Sequence, residues 1–105
     1  MTRVAVFVNS ANPARAEFLV GEAESAGRTM GLRIQVFNTG TIREINAAFT
    51  TLASQRPDAL LVTPDPFFIT RRAQIATLAA RHGVPTSFPA RDYKSFIAEL
   101  KKSPG

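Results

Sequence analysis

The chain has 105 residues, 45% of them hydrophobic, a formal net charge of +5 and no cysteine. That length suits one domain able to bury a core of its own, and the missing cysteines exclude disulfides, thiolate metal sites and thiol nucleophiles. The positive charge does not point to nucleic acid: Arg3, Arg15, Arg28, Arg33, Arg43, Arg56, Arg71, Arg72, Arg81 and Arg91 are scattered among acids such as Glu17, Glu22, Glu24 and Glu44, whereas a nucleic-acid footprint is a stripe or patch.

The first apolar run, Val4-Ala5-Val6-Phe7-Val8, is continuous, as expected of a central strand covered on both faces. It ends at Asn9-Ser10-Ala11-Asn12-Pro13, where Asn12 predicts a helix N-cap and Pro13 the first helical residue. The apolar face of that helix is Ala16, Leu19, Val20, Ala23, Ala26 and Met30, and Gly31 stops it. Leu32 to Phe37 alternates apolar and polar, which predicts an edge strand with one wetter face. Thr41-Ile42-Arg43-Glu44 has capping-box spacing and opens a helix with Ile45, Ala48, Phe49, Leu52 and Ala53 inward.

Pro57-Asp58 turns the chain into a short buried strand, Ala59 to Val62, followed by the loop Thr63-Pro64-Asp65-Pro66. Asp65-Pro66 repeats the cap-then-proline grammar and predicts one helix up to Gly83, with Phe68, Ile75, Leu78 and Ala79 inward. Val84 to Phe88 reads as a fourth strand, and Asp92 as the cap of a last helix with Phe96, Ile97 and Leu100 inward. The expected architecture is a single α/β domain, a three-layer α/β/α sandwich on a parallel sheet of about four strands in the order 2-1-3-4. Right-handed crossovers put the strand-to-helix loops on one edge, where Asn9 to Pro13 and Thr63 to Pro66 flank the switch-point crevice.

Asn12 and Asp65 are already explained as helix caps, and Phe67 and Phe68 as packing residues. His82, in the last turn of its helix, suits a dipole or solvated role and is assigned no function. There is no glycine-rich dinucleotide fingerprint, no P-loop and no nucleophile elbow, so no catalysis, cofactor or metal is expected. No run reaches the roughly 18 to 20 apolar residues of a membrane helix, and the start lacks a signal-peptide layout, so a soluble chain, cytoplasmic as expressed, is expected.

Four segments resemble one family. They are Val4 to Pro13, Asp58 to Phe68, Ile75 to Pro85 and Phe88 to Tyr93, and the family is the substrate-binding proteins of bacterial ABC transporters, with a periplasmic-binding-protein class I fold. The resemblance implies a flavodoxin-like lobe, over residues 1–93, of a periplasmic two-lobe protein that closes on a small organic solute such as an amino acid. It implies ligand contacts from Ser10, Ala11, Asn12, Asp65, Phe67 and Arg91. Residues 94–105 depart from the family, and there the basic residues change from arginine to Lys94, Lys101 and Lys102. The expected function is thus a solute-binding lobe, weak or inactive alone. The alternative is a stand-alone structural or engineered α/β domain without ligand binding, excised or chimeric, with a homodimer through the exposed lobe surface.

Overall fold

The computed structural model describes residues 3–63 and 65–88. The elements run β1 (Arg3–Val8), α1 (Pro13–Met30), β2 (Arg33–Asn38), α2 (Ile42–Gln55), β3 (Ala59–Val62), α3 (Pro66–Thr70), α4 (Arg72–His82) and β4 (Thr86–Ser87). The strands form one parallel sheet in the order β2-β1-β3-β4, as the sequence predicts. Three of them are full strands; the fourth is only two residues long and pairs through Leu60 with Thr86 and Leu61 with Ser87.

The continuous apolar run of β1 is explained by its position between two layers. Because side chains alternate across a strand, Val4, Val6 and Val8 share one cluster with Leu61 and with Ala23 of α1. Ala5 and Phe7 face the other way, into a cluster with Leu60, Val62, Ile45, Phe49 and Leu52 of α2, Phe68 of α3, and Ile75 and Ala79 of α4. Helix α1 therefore covers one face and α2, α3 and α4 the other. Strand β2 shows the expected alternation at the sheet edge, with Ile34 and Val36 packed toward α1 and Phe37 toward the opposite core.

At the ends of the elements the sequence reading holds in part. Helix α2 begins at the expected cap: Glu44 N–H donates to Thr41 Oγ1 at 3.1 Å. The reciprocal bond goes one residue further out, Gly40 N–H donating to Glu44 Oε1 at 2.9 Å. Helix α1 begins at Pro13, yet Asn12 makes no side-chain cap bond. Its face is also set by an unexpected residue, the buried Gly27, where a Cβ would lie 2.6 Å from Ile34 Cγ1.

The single helix expected between Pro66 and Gly83 is broken at Arg71, whose φ −105° and ψ 11° leave the helical region. Arg71 N–H is shared between the Phe67 and Phe68 carbonyls at 3.2 and 3.1 Å, while the Thr70 hydroxyl donates to the Phe67 carbonyl at 2.7 Å. Such back-bonding by a hydroxyl competes with the helical ladder. The expected last helix after Asp92 lies outside the described residues, as does Arg91.

Candidate functional site

At the carboxyl edge of the sheet the loops after β1, β2 and β3 meet. Thr63, 2% exposed, donates through its hydroxyl to the Phe7 carbonyl at 2.7 Å. Thr39, fully buried, donates to the Val8 carbonyl through both its N–H, at 2.9 Å, and its hydroxyl, at 3.2 Å. Each threonine thus continues the sheet one residue past its strand by satisfying a carbonyl of β1, which a buried edge requires.

The two switch-point loops are joined by side chains. Asn9 Nδ2 donates to Asp65 Oδ1 at 2.9 Å, and the same oxygen accepts Phe67 N–H at 2.9 Å, capping α3. The other end of the Asn9 amide accepts Ala11 N–H at 2.9 Å, and its carbonyl accepts Asn12 N–H at 3.1 Å. Asn9 therefore folds the turn into α1, the task the sequence reading gives to Asn12. The β2 loop closes on this turn through a glycine: a Cβ at Gly40 would stand 3.0 Å from Asn9 Oδ1 and from Ser10 Oγ, and 3.1 Å from Ala11 N.

Of the residues predicted for a site, Ser10 and Asp65 sit within this joint, Ser10 half-buried and Asp65 only 4% exposed. Phe67 is half-buried and packs on the core beside Phe68, with the Arg71 guanidinium 5.9 Å from its ring centroid. Ala11 and Asn12 are exposed. The sequence reading places Asn9 and Thr63 in the crevice loops without giving them a role, and misses Thr39 and Gly40. Asn9, two positions before Ala11, carries the signature of an asparagine turn, but its bond to Asp65 spans 56 positions and leaves no local trace.

Each acidic group in this network accepts through one oxygen: Asp65 Oδ1 as described, and Glu44 Oε1 from Gly40 N–H and the Thr41 hydroxyl. The histidine is at the opposite end of the molecule, its ring stacked on Phe49 with centroids 6.1 Å apart. No helix among the described residues is long and apolar enough to cross a membrane.

This fold is similar to that of a solved structure, the 1.60 Å crystal structure of a 3-dehydroquinate dehydratase-like protein from Bifidobacterium longum. The two superpose with a TM-score of 0.65 over 98% of this chain and 95% of that one, at 15% sequence identity. The fold is flavodoxin-like. No protein-family model and no curated protein matches the chain.

These findings correct the expected membership of the ABC-transporter substrate-binding proteins, and with it the transport function. The physical reason lies in what carried the resemblance. A continuous apolar strand followed by a small polar loop, a cap and a proline is what the parallel architecture itself demands at β1-α1 and β3-α3. The fold shared with the similar structure covers 95% of that chain.

Proposed function

We propose that this chain is a self-standing flavodoxin-like domain whose carboxyl edge is a structural joint, neither an enzyme active site nor a solute-binding site. The observation that carries this reading is the Asn9–Asp65 bond of 2.9 Å, which spans the switch-point crevice and uses the carboxylate oxygen that also caps α3. Asp65 Oδ1 thus already accepts from one donor on each side of the crevice, so this oxygen is engaged in holding the two loops together.

The similar structure is described as dehydratase-like, and removing water from a hydroxylated substrate needs a positioned proton acceptor and donor. Among the described residues the acids of the joint are Asp65 and Glu44, each with one carboxylate oxygen already holding backbone or side-chain donors of the loops, which favours the structural reading over a catalytic one. An amide NMR titration of the full labelled chain with amino acids and small carboxylates, run beside a 3-dehydroquinate dehydration assay, tests it. The expected result is no saturable shift at residues 9–13 or 63–67 and no turnover. Saturable shifts confined to those loops, or turnover lost in Asp65→Asn, would overturn it.

A further inference from the structure

The opposite edge of the sheet carries a groove that the joint does not involve. It lies between the C-terminal ends of α2 and α4 and has a volume of about 410 Å³, within the usual range for small-molecule sites. Its lining is mostly polar, with Arg56, Arg81 and His82 at the rim, and the half-buried Pro57 and the 7% exposed Val84 give it a small apolar patch above the fully buried Leu52. Among the described residues no acidic one lines it. We propose that this groove binds a small organic anion with an apolar body, the charge met by Arg56 and Arg81 and the body seated on the small apolar patch of Pro57 and Val84.

Cations at helix C-termini have an ordinary explanation, since they offset the partial negative charge of unpaired carbonyls. Here several of those carbonyls have other partners. Arg3 Nη2 donates to the Gln55 and Arg56 carbonyls at 2.6 and 3.1 Å, and Arg56 N–H donates to the Leu52 carbonyl at 2.8 Å. At the end of α4, Gly83 N–H and Val84 N–H take the Ala80 and Ala79 carbonyls. Asp58, the acid next along the chain, receives the Arg3 N–H at 2.8 Å. Among the described residues no hydrogen bond or ion pair engages the Arg56 or Arg81 guanidinium.

A second observation concerns the backbone of the same residue. Helices α1 and α4 end in left-handed glycines, Gly31 at φ 70° and Gly83 at φ 66°. Helix α2 ends in the same conformation with Arg56, at φ 49° and ψ 65°, the sole non-glycine with positive φ among the described residues. A side chain there costs conformational energy that glycine avoids. Strain held at a groove rim, by a residue whose charge faces no partner among the described residues, is the pattern of a binding position. His82 completes the rim with its ring held flat by the stack on Phe49.

The test titrates the labelled full chain with benzoate, phenyl phosphate, inorganic phosphate and neutral benzamide. Benzoate and phenyl phosphate are expected to give saturable amide shifts at residues 52–57 and 80–84. Arg56→Gly, which relieves the backbone, and Arg81→Gln are each expected to weaken that binding about tenfold, the ordinary loss for a charge-assisted contact. Absence of shifts there at millimolar probe, equal binding of benzamide, or unchanged affinity in the double variant would overturn the proposal. Inorganic phosphate binding as tightly as phenyl phosphate would overturn the part played by the apolar patch. Shifts at residues 9–13 and 63–67 would instead count against the structural reading of the other edge, so the two proposals fail separately.

Discussion

Asn9 and Asp65, 56 positions apart, are joined by a 2.9 Å bond that ties the end of the first strand to the cap of the third helix. Asp65→Ala removes a helix cap, worth about 1 kcal/mol, and leaves the Asn9 amide short of a partner in a half-buried site, worth about 1–2 kcal/mol more. The expected loss is about 2–3 kcal/mol in chemical denaturation, while Asp65→Asn, which keeps an acceptor oxygen, should lose under about 1 kcal/mol. In a double-mutant cycle with Asn9→Ala the coupling should be about 1 kcal/mol. Additive single effects would show that the bond contributes nothing to the fold.

Two glycines of α1 should respond in opposite directions to the same substitution. Nothing lies within 4 Å of a Cβ built at the exposed Gly21, so Gly21→Ala should stabilise by about 0.5–1 kcal/mol through helix propensity and reduced freedom of the unfolded chain. At Gly27 the new Cβ would meet Ile34 Cγ1 at 2.6 Å and the Leu32 carbonyl oxygen at 3.2 Å. Overpacking of about 1–3 kcal/mol then exceeds the gain of about 1 kcal/mol in propensity. Gly27→Ala should lower the melting temperature and Gly21→Ala should raise it.

The same contrast between site and surface applies to the aromatic residues. Phe7 is fully buried, its ring 5.5 Å from Phe49, 6.1 Å from Phe37 and 6.4 Å from Phe68. Phe7→Ala should cost about 3–5 kcal/mol, enough to unfold a marginal domain. Phe18, 59% exposed on α1, should change stability by no more than about 0.5 kcal/mol when replaced by Ala. Equal effects in urea titrations would mean that Phe18 is covered in solution by a second copy of the chain.

What the sequence made legible was whatever depends on local pattern. The unbroken run of β1 announces a strand with two covered faces, and the alternation in β2 announces an edge. Thr41 and Glu44 announce a helix start through spacing alone. The break at Arg71 was hidden because neither Thr70 nor Arg71 is a glycine or proline that would stop a helix by itself, and the competing bonds to the Phe67 and Phe68 carbonyls appear only in the folded backbone. The joint was hidden for a different reason. Asn9 and Asp65 each have a sufficient local explanation, a turn and a cap, and their bond to each other depends on strand order. The mistaken family expectation has the same root, since it rested on strand-and-cap segments that the architecture shared with the dehydratase-like structure also requires.

Arg56 offers the sharpest separation of stability from binding. Replacing a left-handed arginine by glycine should recover about 1 kcal/mol of backbone strain and give back about 0.4 kcal/mol or more through the freer unfolded chain. Arg56→Gly is therefore expected to be more stable than the parent by about 0.5 kcal/mol, measured by thermal or urea unfolding. Arg56→Ala keeps the Cβ, and so the strain, and should show no such gain. If alanine stabilised as much as glycine, the source would be repulsion between Arg56 and its neighbouring cations instead of the φ of 49°. A gain for glycine alone, with loss of anion binding in the same variant, would show that the chain keeps a less stable helix end for the charge it carries.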